Sequence, residues 1–343
     1  MSIKIICAEY IWIDAFDNLR SKLKVIEIVK SNNNDIYILP EWNFDGSSTG
    51  QSIGKLSDVI LKPVSYYNNP FITWCDSILV LCECYTKDDL PHETNNRIKC
   101  IETFNKCINE DSLFGIEQEY FIFGKDNLPY KWKNYLDPGC GSQGPYYCGI
   151  GGDRSFGREI SNKHLELCIK AGLKIGGTNS EVVASQWEYQ IGPLNAIEVS
   201  DQLWISRYIL QRVSEDYDCY ISFHPKPLKG DWNGSGGHTN FSTKKMREEN
   251  GLVEIEKACV KLSTKHNEHI KIYGKYNDER LSGLHETSSM NDFSWGVSDR
   301  GKSIRIPLNV YKSNCGYLED RRPASNLDPY LVTEIIMNTV ILQ

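Results

Sequence analysis

The alternation of hydrophobic and polar positions separates a strand-rich first part of the chain from a mixed remainder. Short runs of β-branched and aromatic residues fill the first part, and clusters such as SNNND and YYNNP supply the turns between them. These runs predict strands with the sequences AEYIWIDAF, KVIEIV, DIYILPEW and SILVLCECY.

A helical pattern follows the strand-rich part. The stretch DDLPHETNNRIKCIETFNKCINE opens with proline and acidic residues at 91–94, which is typical of a helix start. Its apolar positions at helical spacing are Ile98, Ile101, Phe104, Cys107 and Ile108. We therefore predict a domain boundary just before this helix, with domains at 1–90 and 91–343.

Helices and strands are intermixed in the second part. SNKHLELCIKAG and NGLVEIEKACVKLSTKHNEHI read as helices, whereas EYFIFG, QWEYQIG, YISFHPKP and SIRIPLNV read as strands. They follow no regular βαβ alternation, so the pattern predicts an α+β fold. His266 and His269 lie in a strongly charged helical sequence and are predicted to be exposed.

Composition and charge narrow the class of protein. The 343 residues include 24% charged and 11% aromatic residues, and the net charge of −7 argues against a general nucleic-acid binder. The chain has no apolar run approaching the about 18 residues of a membrane helix, and MSIKIICAEYIWID does not resemble a signal peptide. Twelve scattered cysteines without a CxxC pair indicate reduced thiols. We expect a cytoplasmic protein.

Two glutamate-bearing strands carry the first candidate chemistry. In GIEQEY, Glu117 and Glu119 are two positions apart and therefore point to the same side of a strand. A buried carboxylate without a partner favours its protonated form, so this pair calls for a cation. Glu188 lies on the polar side of QWEYQIG, and Glu181 precedes it. Taken singly, each of these glutamates is also compatible with an ordinary exposed strand position.

A histidine and several arginines extend this pattern. His238 follows three nearby glycines in DWNGSGGHTNFS, and carboxylates with one imidazole suit Mg²⁺ or Mn²⁺, although a lone histidine is more often a core residue. Arginines that suit phosphate or carboxylate recognition, or surface salt bridges, are Arg280, Arg300, Arg305, Arg321 and Arg322. Together they point to metal-assisted phosphoryl transfer. The sequence contains no P-loop or kinase motif, and GCGSQG lacks the preceding strand of a dinucleotide-binding fingerprint.

Several longer stretches, in order and over almost the whole chain, closely resemble glutamine synthetase of the eukaryotic type. They are YIWID, LPEWNFDGSSTGQ, FGIEQEY, QGPYYCG, TNSEVVASQWEYQIGP, DWNGSGGHTNFSTKKMREENG, HETSSMNDFSWGV, SIRIP and YLEDRRPASNLDPY. The resemblance implies a small N-terminal β-grasp domain and a larger catalytic domain whose antiparallel, barrel-like sheet is flanked by helices. It also implies self-association as a decamer of two pentameric rings, with active sites between subunits, and no nucleic-acid or membrane partner.

The resemblance further implies ATP-dependent ligation of ammonia to L-glutamate through a γ-glutamyl phosphate, assisted by two Mg²⁺ or Mn²⁺ ions. One ion would be held by Glu119, Glu181 and Glu188, and the other by Glu117, His238 and Glu319. Positions that match glutamate binding are Asn233, Gly234, Arg280 and Arg321. Positions that match ATP binding are Glu188, Asn240, Phe241, Ser242, Arg300, Arg305 and Tyr317.

Four residues would act directly in catalysis according to the same resemblance. Arg300 and Arg321 would neutralise the transferring phosphoryl group, Glu286 would close the site as a flap, and Asp45 would help to deprotonate ammonium. Two other functions remain as alternatives: an inactive structural relative, and a ligase that uses a polyamine instead of ammonia. The filled ligand positions oppose the first alternative, and the pair Asp45 and Glu286 opposes the second.

A few positions depart from the family pattern. Leu308 stands where an arginine is common after SIRIP, and Trp295 replaces a small residue close to the flap. Gly237 replaces a common cysteine before His238, and His224 replaces an aspartate. None of these changes removes a matched ligand.

Overall fold

The computed structural model describes residues 3–29, 39–55, 57–132 and 143–343. The chain divides into two compact units, which are Met1–Lys99 with Glu166–Leu173, and Cys100–Leu165 with Lys174–Gln343. The domain limits of 1–90 and 91–343 stay a prediction. The predicted strand DIYILPEW lies largely outside the described residues, because 30–38 are not among them.

The first unit contains a five-stranded sheet in the order β2-β1-β5-β4-β3. Its strands are β1 Ile3–Ile13, β2 Leu19–Val29, β3 Trp42–Asp45, β4 Asp58–Asn68 and β5 Ser77–Tyr85. β1 and β5 pair in parallel, and the other neighbours are antiparallel. Alternate residues of β1 (Ile6, Ala8, Tyr10 and Trp12) face one hydrophobic core, as the two-residue period of a strand requires.

Strand β4 is absent from the sequence-based prediction. Pro63 lies in its middle, and the pairing with β5 shifts register between Pro63 and Ser65. Proline has no N–H to donate to a neighbouring strand, so a strand tolerates it at an irregularity of this kind.

The second unit contains a larger sheet in the order β11-β12-β13-β10-β6-β8-β7, and β9 also pairs with β6. The neighbours are antiparallel except for β11 and β12. Its strands are β6 Leu113–Gly124, β7 Ile175–Ser180, β8 Gln186–Leu194, β9 Cys219–Ser222, β10 Gly237–Ser242, β11 Trp295–Val297, β12 Ile304–Ile306 and β13 Leu318–Asp320. Helices and strands are intermixed along the chain, which confirms the α+β prediction.

Eight α-helices occur in the described part of the chain. They are α1 Asn96–Lys106, α2 Arg158–Ala171, α3 Ala196–Glu215, α4 Lys244–Arg247, α5 Leu252–Thr264, α6 His266–Ile270, α7 Leu308–Ser313 and α8 Pro329–Met337. The predicted helices correspond to α1, α2, and α5 with α6. The prediction of a strand over SIRIPLNV is wrong beyond Ile306, because Pro307 precedes the first turn of α7.

Helix α3 supports the sheet of the second unit. It packs against β6, β8 and β9 and against α8. The side chain of Asn195 caps its start by accepting hydrogen bonds from the backbone N–H groups of Ile197 and Glu198. The result is a rigid support beneath the central strands β6 and β8.

Candidate active site

The register of the central strands brings the predicted glutamates together. Glu119 on β6 pairs directly with Glu188 on β8, and Glu117 on β6 pairs with His238 on β10. Glu319 on β13 joins them beside β10 and β12. Directly opposed residues on neighbouring strands project to the same face of a sheet. Stretches far apart in sequence therefore place acidic and imidazole groups on one face.

These residues line a polar cavity of about 320 Å³. The cavity is also lined by most of the other predicted site residues, namely Glu181, Asn233, Gly234, Arg280, Glu286, Arg300, Arg305 and Arg321. Sequence reasoning assigned no role to several further lining residues, which are Tyr147, Asn179, Gln190, His285 and Thr287. All five belong to motifs that carry the family resemblance, which is the signal that could have identified them.

The carboxylates in the cavity lack sufficient positive charge. Burial raises the pKa of Glu119 to about 7, although Arg280 opposes this rise, and burial together with the charge of Glu119 raises the pKa of Glu181 to about 8. The pKa of Glu188 is also raised, by burial and then by the charge of Glu117. Carboxylates crowded in this way need a cation to remain ionised at neutral pH.

His238 is held in its uncharged form, in which a ring nitrogen can act as a metal ligand. Burial and the nearby charge of Arg321 hold its pKa well below the ordinary value. One ligand atom from each of Glu117, Glu188 and His238 lies within 4.8 Å of the others. Oxygen donors with one imidazole fit a divalent cation such as Mg²⁺ or Mn²⁺. This trio combines members of both ligand sets implied by the family resemblance.

Glu319 has two cationic partners. Its buried carboxylate accepts hydrogen bonds from Arg305 Nη1 at 2.6 Å and from Arg321 Nη1 at 2.7 Å. Its Oε1 also lies 3.7 Å from His238 Nδ1. Glu319 is therefore close enough to belong to the cluster, while its charge is shared with the arginines.

The arginines in the cavity wall are hydrogen-bonded to one another. Arg280 donates from Nη2 to the carbonyl oxygen of Arg321 at 2.9 Å and lies 3.1 Å from His238 Nε2. Burial lowers the pKa of Arg280 to about 10. Arg321 donates from Nε to the carbonyl oxygen of Arg300 at 3.1 Å. The result is a fixed group of guanidinium donors that lines the same cavity as the carboxylates.

Two buried polar atoms in the cavity wall lack a hydrogen-bond partner among the described residues. They are Arg305 Nε, a donor, and Asn233 Oδ1, an acceptor. Buried polar atoms are seldom left unpaired in a native protein, so such atoms indicate a place for a ligand or water.

The glycines before His238 leave room for neighbouring side chains that a Cβ would displace. A Cβ on Gly236 would lie 2.6 Å from both Arg280 Nη2 and His238 Nε2. A Cβ on Gly234 would lie 2.8 Å from Arg280 Cγ. The structure gives these glycines the role of admitting the side chains that line the cavity.

A second, largely apolar cavity of about 360 Å³ adjoins the first. Glu117 and Gln190 line both cavities. The predicted nucleotide residues that line the second cavity are Asn240, Phe241, Ser242 and Tyr317. Asn240 Nδ2 donates to Glu117 Oε1 at 2.9 Å, so the side chain of Asn240 links the two cavities.

Asp45 belongs to the first unit, where it caps a short 3₁₀ turn at Gly46–Thr49. Its exposed carboxylate accepts hydrogen bonds from Ser47 Oγ at 2.7 Å and Ser48 Oγ at 2.9 Å. Hydrogen bonds from Ser47, Ser57 and Ser48 lower the pKa of Asp45. Asp45 is therefore held in its ionised form.

The structure also tests the sequence predictions for two histidines and for the cysteines, which lie outside the site. The prediction that His266 and His269 are exposed is wrong, because their side chains are buried against Arg322 and Tyr273, respectively. The eleven cysteines in the described ranges are all free thiols, as expected. Among the described helices, none is long and apolar enough to cross a membrane.

The comparisons with known proteins agree on one family. Residues 102–270 match the family model for the glutamine synthetase catalytic domain. Glutamine synthetase of Schizosaccharomyces pombe is 50% identical over 335 residues, which cover 98% of this chain and 92% of that protein. Glutamine synthetase of Saccharomyces cerevisiae is 52% identical, over 98% of this chain and 89% of that protein.

A solved structure supports the fold. The cryo-EM structure of Plasmodium falciparum glutamine synthetase superposes with a TM-score of 0.76 at 18% identity, covering 98% of this chain and 71% of that chain. With half of its residues identical to curated relatives over nearly its whole length, this chain belongs to the glutamine synthetase family.

Proposed function

We propose that this chain catalyses the ATP-dependent ligation of ammonia to the side-chain carboxylate of L-glutamate, giving L-glutamine, ADP and phosphate. ATP-dependent glutamine formation is the reaction of its family. The observation that carries the proposal is the cavity that glutamates, His238 and a group of arginines line together. Carboxylates that can hold a metal ion, together with guanidinium donors, suit a metal-bound phosphate.

The reaction requires activation of a carboxylate. A carboxylate is a poor acyl donor, because an oxide ion would have to leave. Transfer of the terminal phosphoryl group of ATP to one carboxylate oxygen gives γ-glutamyl phosphate. Ammonia then adds to the carbonyl carbon, phosphate leaves with the C–O bonding electrons, and a proton is released.

The cluster offers six candidate ligands for two divalent ions. We assign Glu119, Glu181 and Glu188 to one ion, and Glu117, His238 and Glu319 to the other. Bound Mg²⁺ or Mn²⁺ would neutralise the glutamates and stabilise the negative charge on the transferring phosphoryl group. The raised pKa values of Glu119 and Glu181 support this assignment, because they mark a shortage of positive charge.

The arginines complete the phosphate site in this proposal. Arg305 has a buried Nε without a partner among the described residues, and Arg321 Nη1 is held in place by Glu319. Preorganised donors stabilise charge that develops in a transition state without the cost of reorientation. Arg300 and Arg321 would face the transferring group, and Arg305 would hold the nucleotide phosphates.

The substrates would occupy different parts of the two cavities. The apolar walls supplied by Ile116, Ile191 and Phe241 suit a nucleobase, with Asn240, Ser242 and Tyr317 around it. Glutamate would lie against Gly234, Arg280 and Arg321, and its ammonium group would donate to the unpaired Asn233 Oδ1.

Asp45 and Glu286 would serve the ammonium ion. Because the low pKa of Asp45 makes it a weak base, its main contribution would be to attract ammonium as an anion. Ammonium would have to release a proton to water before its nitrogen, as ammonia, adds to the carbonyl carbon. Glu286 would cover the acyl phosphate and exclude water. Following the family, Asp45 would come from a neighbouring copy in a decamer of two pentameric rings. We place the enzyme in the cytoplasm.

One experiment tests this proposal directly. Phosphate release from ATP is measured with glutamate and Mg²⁺, with ammonium, putrescine or no amine added. The proposal predicts strong stimulation by ammonium and one glutamine per phosphate. Stimulation by putrescine alone would instead establish a polyamine ligase, and no glutamate-dependent release would contradict the proposed chemistry altogether.

A further inference from the structure

The turn that carries Glu286 has an unfavourable backbone conformation. His285 and Glu286 both have positive φ, at 55° and 59°. Thr287 N donates to the carbonyl oxygen of Leu284 at 3.2 Å, which closes a tight turn with the two residues at its centre. Turns of this type favour Asn-Gly, because a positive φ brings Cβ close to the backbone. A His-Glu turn therefore needs contacts elsewhere to hold it.

The side chain of His285 supplies two such contacts. Its Nδ1 lies 2.6 Å from Gln143 Nε2, and its Nε2 lies 2.8 Å from Asp231 Oδ1. Gln143 Oε1 in turn accepts a hydrogen bond from the backbone N–H of Asn233 at 2.6 Å. The ring of His285 is thus fixed from both sides by residues outside its own loop.

The hydrogen bonds along this chain have one consistent direction. Because Gln143 Oε1 accepts from Asn233, Gln143 Nε2 must donate to His285 Nδ1. His285 Nε2 then carries the proton and donates to Asp231. Each group has the role that its neighbour requires, which is the behaviour of a satisfied polar network.

The connection runs between two parts of the active site. Asn233 and Glu286 line the same cavity, and Arg321 Nη2 also lies 3.3 Å from the carbonyl oxygen of Glu286. Anchoring His285 therefore fixes the position of the residue next to it, which covers the reacting groups in the proposed function. Gln143 and Asp231 are not among the residues that line the cavity, so they can act only through His285 and Asn233.

We propose that Gln143, His285 and Asp231 form a latch that holds the Glu286 turn over the active site. All three are positioning residues and take no part in the chemistry. The inference rests on the proposed function in one respect, since the turn protects γ-glutamyl phosphate from water. Without the latch, water adds to the carbonyl carbon, phosphate leaves, and glutamate is regenerated with release of a proton.

The latch makes a prediction that a purely structural role does not. Loss of the latch raises the fraction of phosphate released without glutamine, since water then competes with ammonia. We expect about a fivefold to tenfold rise in this fraction for His285→Ala, as for loss of one or two hydrogen bonds. A change that merely damages the fold lowers phosphate and glutamine together and leaves their ratio unchanged.

Variants of single contacts separate the two arms of the latch. His285→Asn keeps an acceptor for Gln143 and loses Asp231, whereas His285→Gln keeps a donor for Asp231 and loses Gln143. Asp231→Ala removes an exposed carboxylate and tests the latch where His285→Ala fails to fold. The matched control is Asp218→Ala, which removes a similarly exposed carboxylate paired with Lys125 at the surface.

The experiment measures two quantities in the full chain. One is the ratio of phosphate to glutamine at saturating ammonium, and the other is amide hydrogen exchange across residues 282–289. We expect Asp231→Ala and His285→Ala to raise both, and Asp218→Ala to change neither. An unchanged ratio or unchanged exchange in Asp231→Ala overturns the latch. If the wild-type chain makes no glutamine, the proposed function fails instead, and the exchange rates alone decide on the latch.

Discussion

Glu119→Gln tests the charge shortage in the active site. The carboxylate accepts hydrogen bonds at Oε2 from Gly236 N at 2.9 Å and from Gln186 Nε2 at 3.0 Å. A glutamine amide oxygen can keep both bonds, and its amide nitrogen would face His238 Nε2, which lies 3.7 Å from Glu119 Oε1. The substitution therefore removes the charge with little change in shape.

The magnitude follows from the pKa of Glu119, which is raised from an ordinary 4.5 to about 7. The unfolded chain loses this proton at lower pH than the folded chain, so the metal-free fold loses stability as pH rises through this range. By linkage, the cost is about 1 kcal/mol at pH 5.5 and about 3 kcal/mol at pH 8. The glutamine variant does not incur this cost.

The assay is urea denaturation after treatment with EDTA, at pH 5.5 and pH 8. We expect Glu119→Gln to be more stable than the wild type by about 3 kcal/mol at pH 8 and by less at pH 5.5. Mg²⁺ should stabilise the wild type more than the variant, and the variant should lose ligase activity. Exposed Glu249→Gln is the control. A metal-free variant no more stable than the wild type at pH 8 would refute this account of the site.

Three further predictions concern the interior of the second unit. Burial lowers the pKa of His164 to about 4, so neutral His164 stabilises the fold fully above pH 6.5 and progressively less as pH falls towards 4. Between pH 7 and pH 4.5, the free energy of unfolding of His164→Gln, measured by urea titration, should therefore fall by about 2 kcal/mol less than that of the wild type. Asp320→Ala should lower the free energy of unfolding by about 3–5 kcal/mol, because the charge of buried Arg322 then has no carboxylate partner. Only a small decrease in the urea concentration at the denaturation midpoint would contradict this. Gly237→Ala should lower the free energy of unfolding by about 1–3 kcal/mol, because its Cβ would clash with Leu327 Cδ2 and lie 2.9 Å from the carbonyl oxygen of Ala324. A double-mutant cycle with Leu327→Ala should show partial recovery, and strict additivity would exclude the clash with Leu327.

Local periodicity predicted the elements that have one buried face. The two-residue spacing of Glu117 and Glu119 correctly placed them on the same side of a strand, since both line the cavity. Helix α1 was also predicted, but its fully buried positions are Cys100 and Thr103, whereas Ile98, Ile101 and Phe104 are only partly buried. These features are properties of a single segment, so the sequence of that segment is sufficient to predict them.

Elements whose environment comes from the rest of the fold were harder to predict. The sequence of helix α3 does not show the periodicity of a half-buried helix, because most of its length is buried and it lacks a clear polar side. The charged sequence around His269 predicts exposure, yet its Nδ1 lies 2.5 Å from the hydroxyl of Tyr273 and its Nε2 lies 2.8 Å from that of Thr339. Such partners are set by tertiary packing, which a single helical segment does not encode.

The candidate site likewise combines features that single segments predict with features that depend on the tertiary fold. Motifs identified its glutamates and arginines, but the pairing of Glu319 with Arg305 depends on the register of β12 and β13. The chain from Asn233 through Gln143 to His285 joins three separate loops. Neither arrangement has a signature in any one stretch of sequence.

The central claim is that the cavity directs the terminal phosphoryl group of ATP to the side-chain carboxylate of glutamate. The most direct measurement uses glutamate labelled with ¹⁸O in that carboxylate, together with ATP, Mg²⁺ and ammonium. The account predicts one ¹⁸O atom in the released phosphate for each glutamine formed. Glutamine formation with unlabelled phosphate would contradict the account.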